Sequence, residues 1–397
     1  MTLELNQVTP QVKAMGRALA EQKPERTEAL QLARTLLHQF SSEFDALHDR
    51  IKRAEQVQQT QRFGWVGAAP TAEAIAASQP LPACPDQLTV IASDGSQIMP
   101  DQHAIFPYYL INVGSFTYRH GSNRKPDPYN PPPLLNFEPF DERGQLISPA
   151  EINVQRDLAE LEVLIDRVQQ LDDNAWPVIT LLDRQLALRV IDLPFEHQED
   201  RQKQYIALLD TIRQTGALVA GYVDRPRSTF VLALLQLAVL EVAAITEERL
   251  RLTPFRGLTD LDLFDGLAPG ERSAVFKLTA KGLAKYDDAG HGVHFFYLNV
   301  SANQSPPVLA RVELPVWLAA DPAAIDLLHA AIVRQARISG GYPYVLARAD
   351  ELAVISSEER AAVELMIAVE MRRRGLTPEL SAKQQHKNLF RFSRRRF

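Results

Sequence analysis

Apolar residues recur at three- and four-residue steps between charges across residues 8–60, among them Val12, Met15, Leu19, Leu36, Leu37, Phe44, Leu47 and Ile51. That spacing predicts a helical hairpin or a long arm, broken near Pro24. Residues 66–87, rich in Ala and Pro, read as a linker. The pattern then changes to that of strands. "LTVIASDGSQIMP" (88–100) opens as a buried run and reaches an acid at Asp94. "HAIFPYYLINVGSFTY" (103–118) is dense in β-branched and aromatic residues, and "LLNFEPF" (134–140) alternates. Together they predict an antiparallel meander with Asp94 near the end of its first strand. Further on, an amphipathic helix is expected over 149–171, then a buried strand "VITLLD" (178–183). A helix over 200–215, a strand "ALVAGYV" (217–223) and a long apolar helix over 229–248 follow. A strand pair at 293–300 and 308–315 and helices at 322–338 and 357–374 complete the chain. A strand reached through a helix is usually parallel to its sheet and covered on both faces. The expected class is therefore α/β, a mixed sheet flanked by helices, with an N-terminal helical arm or hairpin.

Composition narrows the setting. The chain has 397 residues, 46% of them hydrophobic, and its single cysteine, Cys84, excludes an internal disulfide and a cysteine-rich zinc site. The N-terminus lacks a basic start followed by an apolar core. The longest apolar run, 230–245, is short and interrupted by Gln236 and Glu241. These features lead us to expect a soluble cytoplasmic protein that makes no use of a membrane. The net charge of −6 conceals an asymmetry. Residues 372–397 hold nine basic side chains, Arg394, Arg395 and Arg396 among them, against the single acid Glu379. A basic tail on an acidic body suits a phosphate backbone or an acidic partner, and equally a solvated tail.

Two strands end in an acid, Asp94 and Asp183. Taken singly, each is compatible with turn chemistry, with Gly95 permitting a sharp turn and the Asp closing it. Taken together, they are candidates for a shared divalent cation, because hard cations select carboxylate oxygens and neighbouring carboxylates repel. Ser96 would hydrogen-bond close by. The helix between them carries Asp157, Glu160 and Glu162, with Arg156 one turn before Glu160.

The order of these features resembles ribonuclease H-like metal nucleases, and more specifically the NurA nuclease family. The matching pieces are "IASDGSQ" (91–97), "RDLAELEVL" (156–164), "VITLLDRQL" (178–186), "LVAGYVDRPRS" (218–228), "FFYLNV" with "LARVELP" (295–315) and "GYPYVLARADELAVIS" (341–356). The resemblance implies a domain organisation of an N-terminal helical region (1–65), a linker (66–87), a nuclease domain (88–371) and a basic tail (372–397). It implies a Mn2+- or Mg2+-dependent deoxyribonuclease with two ions per site. Such an enzyme degrades DNA from 5′ ends, with single-strand endonuclease activity as a further expectation, in DNA end processing and repair. It further implies a homodimer whose partners are DNA and a HerA-type hexameric translocase. Carried over by position, the catalytic set is Asp94, Glu160, Asp183 and Asp350, with metal on Asp94, Glu160 and Asp183. Glu162 and Asp157 stand as alternatives to Glu160 in helix register. Phosphate contacts fall on Ser96, Arg225 and Arg311, the last beside Glu313, and DNA contacts on Arg394, Arg395 and Arg396.

Three positions depart from the family pattern. Arg184 and Gln185 follow Asp183 where Gly-Ser is usual. Asp224 and Arg225 stand where a lysine is common, and Asp350 stands where a histidine is usual. These departures support a second reading, a catalytically weakened DNA-binding adaptor of the same complex. A third is a metal-dependent phosphohydrolase acting on small nucleotides.

Overall fold

The computed structural model describes residues 4–60, 64–101, 106–140, 144–171, 176–302 and 306–376. In chain order the strands are β1 (Val66–Pro70), β2 (Ser78–Gln79), β3 (Leu88–Ile98), β4 (Tyr109–His120), β5 (Asp127–Tyr129) and β6 (Leu134–Asn136). After these come β7 (Val178–Leu182), β8 (Leu218–Asp224), β9 (Arg272–Ser273), β10 (Phe276–Ala280), β11 (Val293–Asn299) and β12 (Leu309–Pro315). The helices are α1 (Leu5–Gln39), α2 (Phe44–Thr60), α3 (Pro149–Gln169), α4 (Phe195–Gln214) and α5 (Phe230–Ala238). Four short ones follow: α6 (Glu247–Arg251), α7 (Asp260–Leu263), α8 (Ala284–Asp288) and α9 (Val316–Ala319). Then come α10 (Pro322–Ser339), α11 (Tyr344–Ala353) and α12 (Ser357–Arg373). The elements form two compact units, one of Met1–Cys84 with Tyr222–Gly341, the other of Pro85–Gly221 with the chain from Tyr342 onward.

The second unit carries the acids. β3 and β4 pair antiparallel over eleven residues, from Leu88↔His120 to Ile98↔Leu110, and β5 and β6 both pair with β4. The chain crosses through α3 and returns as β7, parallel to β3, and through α4 to the first residues of β8, parallel to β7. The order β8-β7-β3-β4-β5, an antiparallel meander extended by parallel strands, is the ribonuclease H-like arrangement expected. All five residues of β7 are buried, as a central strand covered on both faces requires. α3 begins where Ser148 accepts a hydrogen bond from the Glu151 amide and Pro149 occupies the first turn. Its buried stripe includes Ile152, Leu158, Leu161, Leu164, Ile165 and Val168.

In the first unit, β1-β10-β11-β12 form an antiparallel sheet. Phe264 stacks on Tyr297 with ring centroids 5.0 Å apart, and Phe276 stacks on Phe295 at 5.6 Å. Asp260, fully buried, accepts from the amides of Val231 and Leu232 at the start of α5 and from the Tyr297 hydroxyl at 2.6 Å.

Several expectations need correction. The N-terminal helix does not break at Pro24. α1 runs through it, because this stretch is exposed and water can serve the carbonyl left without an amide partner. The break falls at residues 40–43. The Ala- and Pro-rich stretch after Trp65 is not only a linker, since β1 pairs with β10 along its whole length. The apolar helix expected over 229–248 stops at Ala238. Arg50 donates to the Leu240 carbonyl at 2.9 Å, and the Gln236 amide bonds the carbonyls of Arg249, Leu250 and Leu252, folding the chain back on itself. α11 was not expected as a helix at all. Among the described residues no helix is long and apolar enough to cross a membrane.

Candidate active site

The acids meet because of sheet register. The parallel pairing of β3 with β7 runs from Thr89↔Val178 to Ser93↔Leu182. Asp94 and Asp183 are the next residue on each strand. β3 itself does not end there: Asp94, Gly95 and Ser96 pair with Gly114, Val113 and Asn112 of β4. The expected turn is therefore absent, and Asp94 stands on a continuing strand at the point where its other neighbour stops.

Alternation along β3 divides its side chains between two helices. Ser93 donates to the Glu160 carbonyl of α3 at 2.9 Å, and Gln97 donates to Asn153 at 3.0 Å. On the opposite face, the Ser96 hydroxyl donates to the Ala353 carbonyl of α11, and Asn112 donates to the same oxygen at 2.8 Å. Asn130 donates to the Leu352 carbonyl at 2.9 Å. Three polar side chains thus hold the C-terminal carbonyls of α11, which no amide within the helix serves. That docking fixes Asp350, one turn earlier. Two glycines set how closely the helices approach. A Cβ on Gly114 would lie 2.6 Å from the Ala349 carbonyl oxygen and the Ala353 nitrogen, and one on Gly95 would lie 2.6 Å from Arg156 Cγ and 2.8 Å from Glu160 Oε1.

Asp94, half-buried, accepts from the Gly95 amide at 2.9 Å and shares a hydrogen bond with Asp350. Burial pushes its carboxyl up to about 6; the Asp183 and Asp350 carboxylates add to the rise and the Gly95 amide opposes it. Asp183 and Asp350 are exposed, and the Tyr342 hydroxyl donates to Asp183. Asp94 with two further carboxylates in Coulombic range has the donor chemistry of a hard-cation site. They are not a finished cage: among the described residues no three Asp, Glu, His or Cys side chains already converge on one point.

Glu160 lies within Coulombic range of Asp94 on the α3 side. Only 3% of its side chain is exposed, and both oxygens face guanidinium groups, Oε1 with Arg156 Nε at 3.2 Å and Oε2 with Arg184 Nε at 3.0 Å. The same two arginines engage Asp157, at 2.9 and 3.2 Å, and Arg184 also donates to the Asp157 carbonyl at 2.7 Å. The result is a closed ring of contacts among two acids and two bases. Burial pushes the Glu160 carboxyl up, to about 8, and Arg184 and Arg156 pull against it. Glu162, another register candidate, is exposed, with partial desolvation raising its carboxyl.

The remaining expected residues are not brought to the acids by any observed contact. Ser96 is engaged by α11. Arg311 belongs to the first unit, where it is 2% exposed, pairs with Glu313 at 2.7 Å and lies over the Phe230 ring at 4.9 Å. Arg225 is exposed, also in the first unit, with φ +41° and Asp224 at 4.0 Å. Arg394, Arg395 and Arg396 lie outside the described residues. Sequence reasoning missed two participants. Nothing in "GYPY" marked the Tyr342 hydroxyl, and Arg184 was noted as a departure without its link to α3.

A NurA domain model matches residues 88–355. No curated protein matches the chain. Among solved structures, one of NurA bound to dAMP and manganese is 10% identical, covering 92% of this chain and 97% of that one with a TM-score of 0.41. One of NurA with manganese is 10% identical, covering 72% and 90% with a TM-score of 0.36. A type 1 RNase H with the type 2 active-site motif is 10% identical, covering 39% and 70% with a TM-score of 0.22. The NurA domain spans well over half of the sequence, and on that match the chain belongs to the NurA family.

Proposed function

We propose that this protein is a divalent-metal-dependent nuclease that hydrolyses DNA phosphodiester bonds at the Asp94–Asp183–Asp350 cluster. The observation that carries the reading is the β3–β7 register that sets Asp94 and Asp183 side by side at the rim where β7 ends, with Asp350 in Coulombic range of Asp94. Asp94 and Asp183 would hold the ion, with Asp350 as a third oxygen donor. A bound divalent cation supplies activation of the attacking water and offsets charge on the phosphoryl group. The chain's own residues prepare for it. Tyr342 orients Asp183, and the Ser96, Asn112 and Asn130 bonds keep α11 seated. Manganese or magnesium suits an all-carboxylate set.

Family membership supports the finer features as proposals: cleavage from 5′ ends, action in DNA end processing and repair, a homodimer, a HerA-type translocase as partner, and a cytoplasmic site of action. The basic tail, with Arg394, Arg395 and Arg396, would add sequence-independent phosphate contacts. The test is cleavage of 5′- and 3′-labelled single- and double-stranded DNA with manganese, magnesium or chelator. Ion-dependent products from wild type and none from folded Asp94→Asn are expected. Equal cleavage by the two proteins sinks the assignment. The adaptor reading is favoured by one observation, the pairing of both Glu160 oxygens with arginine. It predicts DNA binding without products under every ion.

A further inference from the structure

We infer that the free end of α1 carries a seam for helix–helix pairing with α1 of a second copy of this chain. The inference rests on the homodimer proposed above, gives it a surface, and does not involve the acids. α1 lies outside the NurA domain match at residues 88–355, so that match does not account for it.

The seam is visible in spacing and exposure. Leu5, Val8, Val12, Met15 and Leu19 recur at steps of three, four, three and four, the repeat that keeps one stripe facing a partner helix. None of residues 5–28 is buried, and Leu5, Val12, Met15 and Leu19 are 70, 54, 59 and 59% exposed. The same repeat, continued along α1, reaches Ala33 and Leu36, which are buried. The stripe that packs α1 onto its own unit thus runs on, bare, toward the N-terminus. Its root is fastened, Arg26 to Asp262 and Arg34 to Asp265. Helical stability in proteins comes mostly from packing an amphipathic face, and Gly16 within the bare part weakens it further. Charge selects the occupant. The positions flanking the seam are Thr9, Gln11, Gly16 and Ala18, all uncharged, whereas Lys13, Arg17 and Glu21 lie on the far side. Identical copies meet there without like-charge repulsion, and the flanks offer no charge to select a different, charged helix. Area agrees. Five apolar side chains of this size withdraw roughly 100 Å² each, about 1,000 Å² over two copies, which reaches the lower bound for a specific interface.

The experiment is sedimentation equilibrium of the full-length protein across a concentration series. Wild type is expected to be a dimer. Val12→Glu with Leu19→Glu, checked for folding by circular dichroism, is expected to raise the dissociation constant by more than about tenfold. Asn6→Glu with Ala20→Glu adds the same charge away from the seam and is expected to leave the dimer intact. Independently of any variant, hydrogen exchange of amides within residues 5–19 of wild type is expected to slow as the dimer forms. A folded seam variant that dimerises like wild type, a control that dissociates with it, or exchange that is the same in monomer and dimer each overturns the inference. In those cases the homodimer stands on another surface. Should the seam variant not fold, hydrogen exchange decides alone. Wild type monomeric at every concentration removes the inference and the homodimer together and leaves the nuclease reading untouched.

Discussion

Asp94 and Asp183 each directly follow the last residue pair, Ser93↔Leu182, that joins β3 to β7 in parallel. Adjacent strands lie about 4.8 Å apart. Two acids from positions almost ninety residues apart in sequence thus become neighbours by register alone. A one-residue slip would send one of them to the other face of the sheet. Asp350 completes the group from α11.

The raised Asp94 carboxyl has a stability consequence. Its pKa is about 6 in the fold against 3.8 for the free side chain, so the native state holds the proton more tightly than the unfolded chain. That contribution is fully present below about pH 4 and is lost as pH rises through 6. Without divalent ions, Asp94→Asn is therefore expected to be more stable than wild type at pH 8, by up to about 3 kcal/mol, and to lose that advantage near pH 4. Thermal unfolding of both proteins across pH 4–8 measures the gap. A gap independent of pH contradicts the assigned environment.

Gly95 and Gly114 should respond unequally to alanine. At Gly95 the added methyl meets side-chain atoms of Arg156 and Glu160, which have some room to move. At Gly114 it meets backbone atoms of α11. Overpacking typically costs about 1–3 kcal/mol. Gly114→Ala is expected at the upper end or beyond, with weakened Mn2+ affinity because α11 carries Asp350. Denaturant unfolding ranks the two, and the reverse order would show that α11 is not docked as described.

Ser96→Ala removes one of the bonds to the Ala353 carbonyl and leaves the acids in place. We expect a loss of about 1 kcal/mol in stability and weaker, not abolished, ion-dependent cleavage. Abolished cleavage with full Mn2+ affinity would instead make Ser96 a direct phosphate contact.

For Arg311 the structure favours a structural part. Removing one member of a buried ion pair costs roughly 3–5 kcal/mol. Arg311→Met is therefore expected to lower the melting temperature substantially, and Arg311→Met with Glu313→Leu to recover much of it. Lost DNA affinity at unchanged stability, read by fluorescence anisotropy, would return Arg311 to the phosphate contacts.

The meander, the α3 crossover and β7 were legible because each carries a local signal: β-branched runs, an amphipathic stripe opened by Ser148-Pro149, and a short apolar run ending in acid. What misled was "DGS". Gly and Asp are turn residues, yet here Gly95 serves the close approach of α3 and the strand runs on to Ile98. The reason lies in a tertiary contact that no local pattern records. The same holds for α11, a ten-residue helix whose last carbonyls are taken by Ser96, Asn112 and Asn130, and for Arg184, whose partners lie 24 and 27 positions away. Neighbouring sequence announced Asp183; only the fold shows that the next residue reaches back to α3.

The central claim is that Asp94, Asp183 and Asp350 form the cation site. Its most direct test is an anomalous difference map from crystals grown with manganese. The account predicts a peak within coordination distance of Asp94 and Asp183 and beside Asp350. A map with no peak near Asp94 would contradict it.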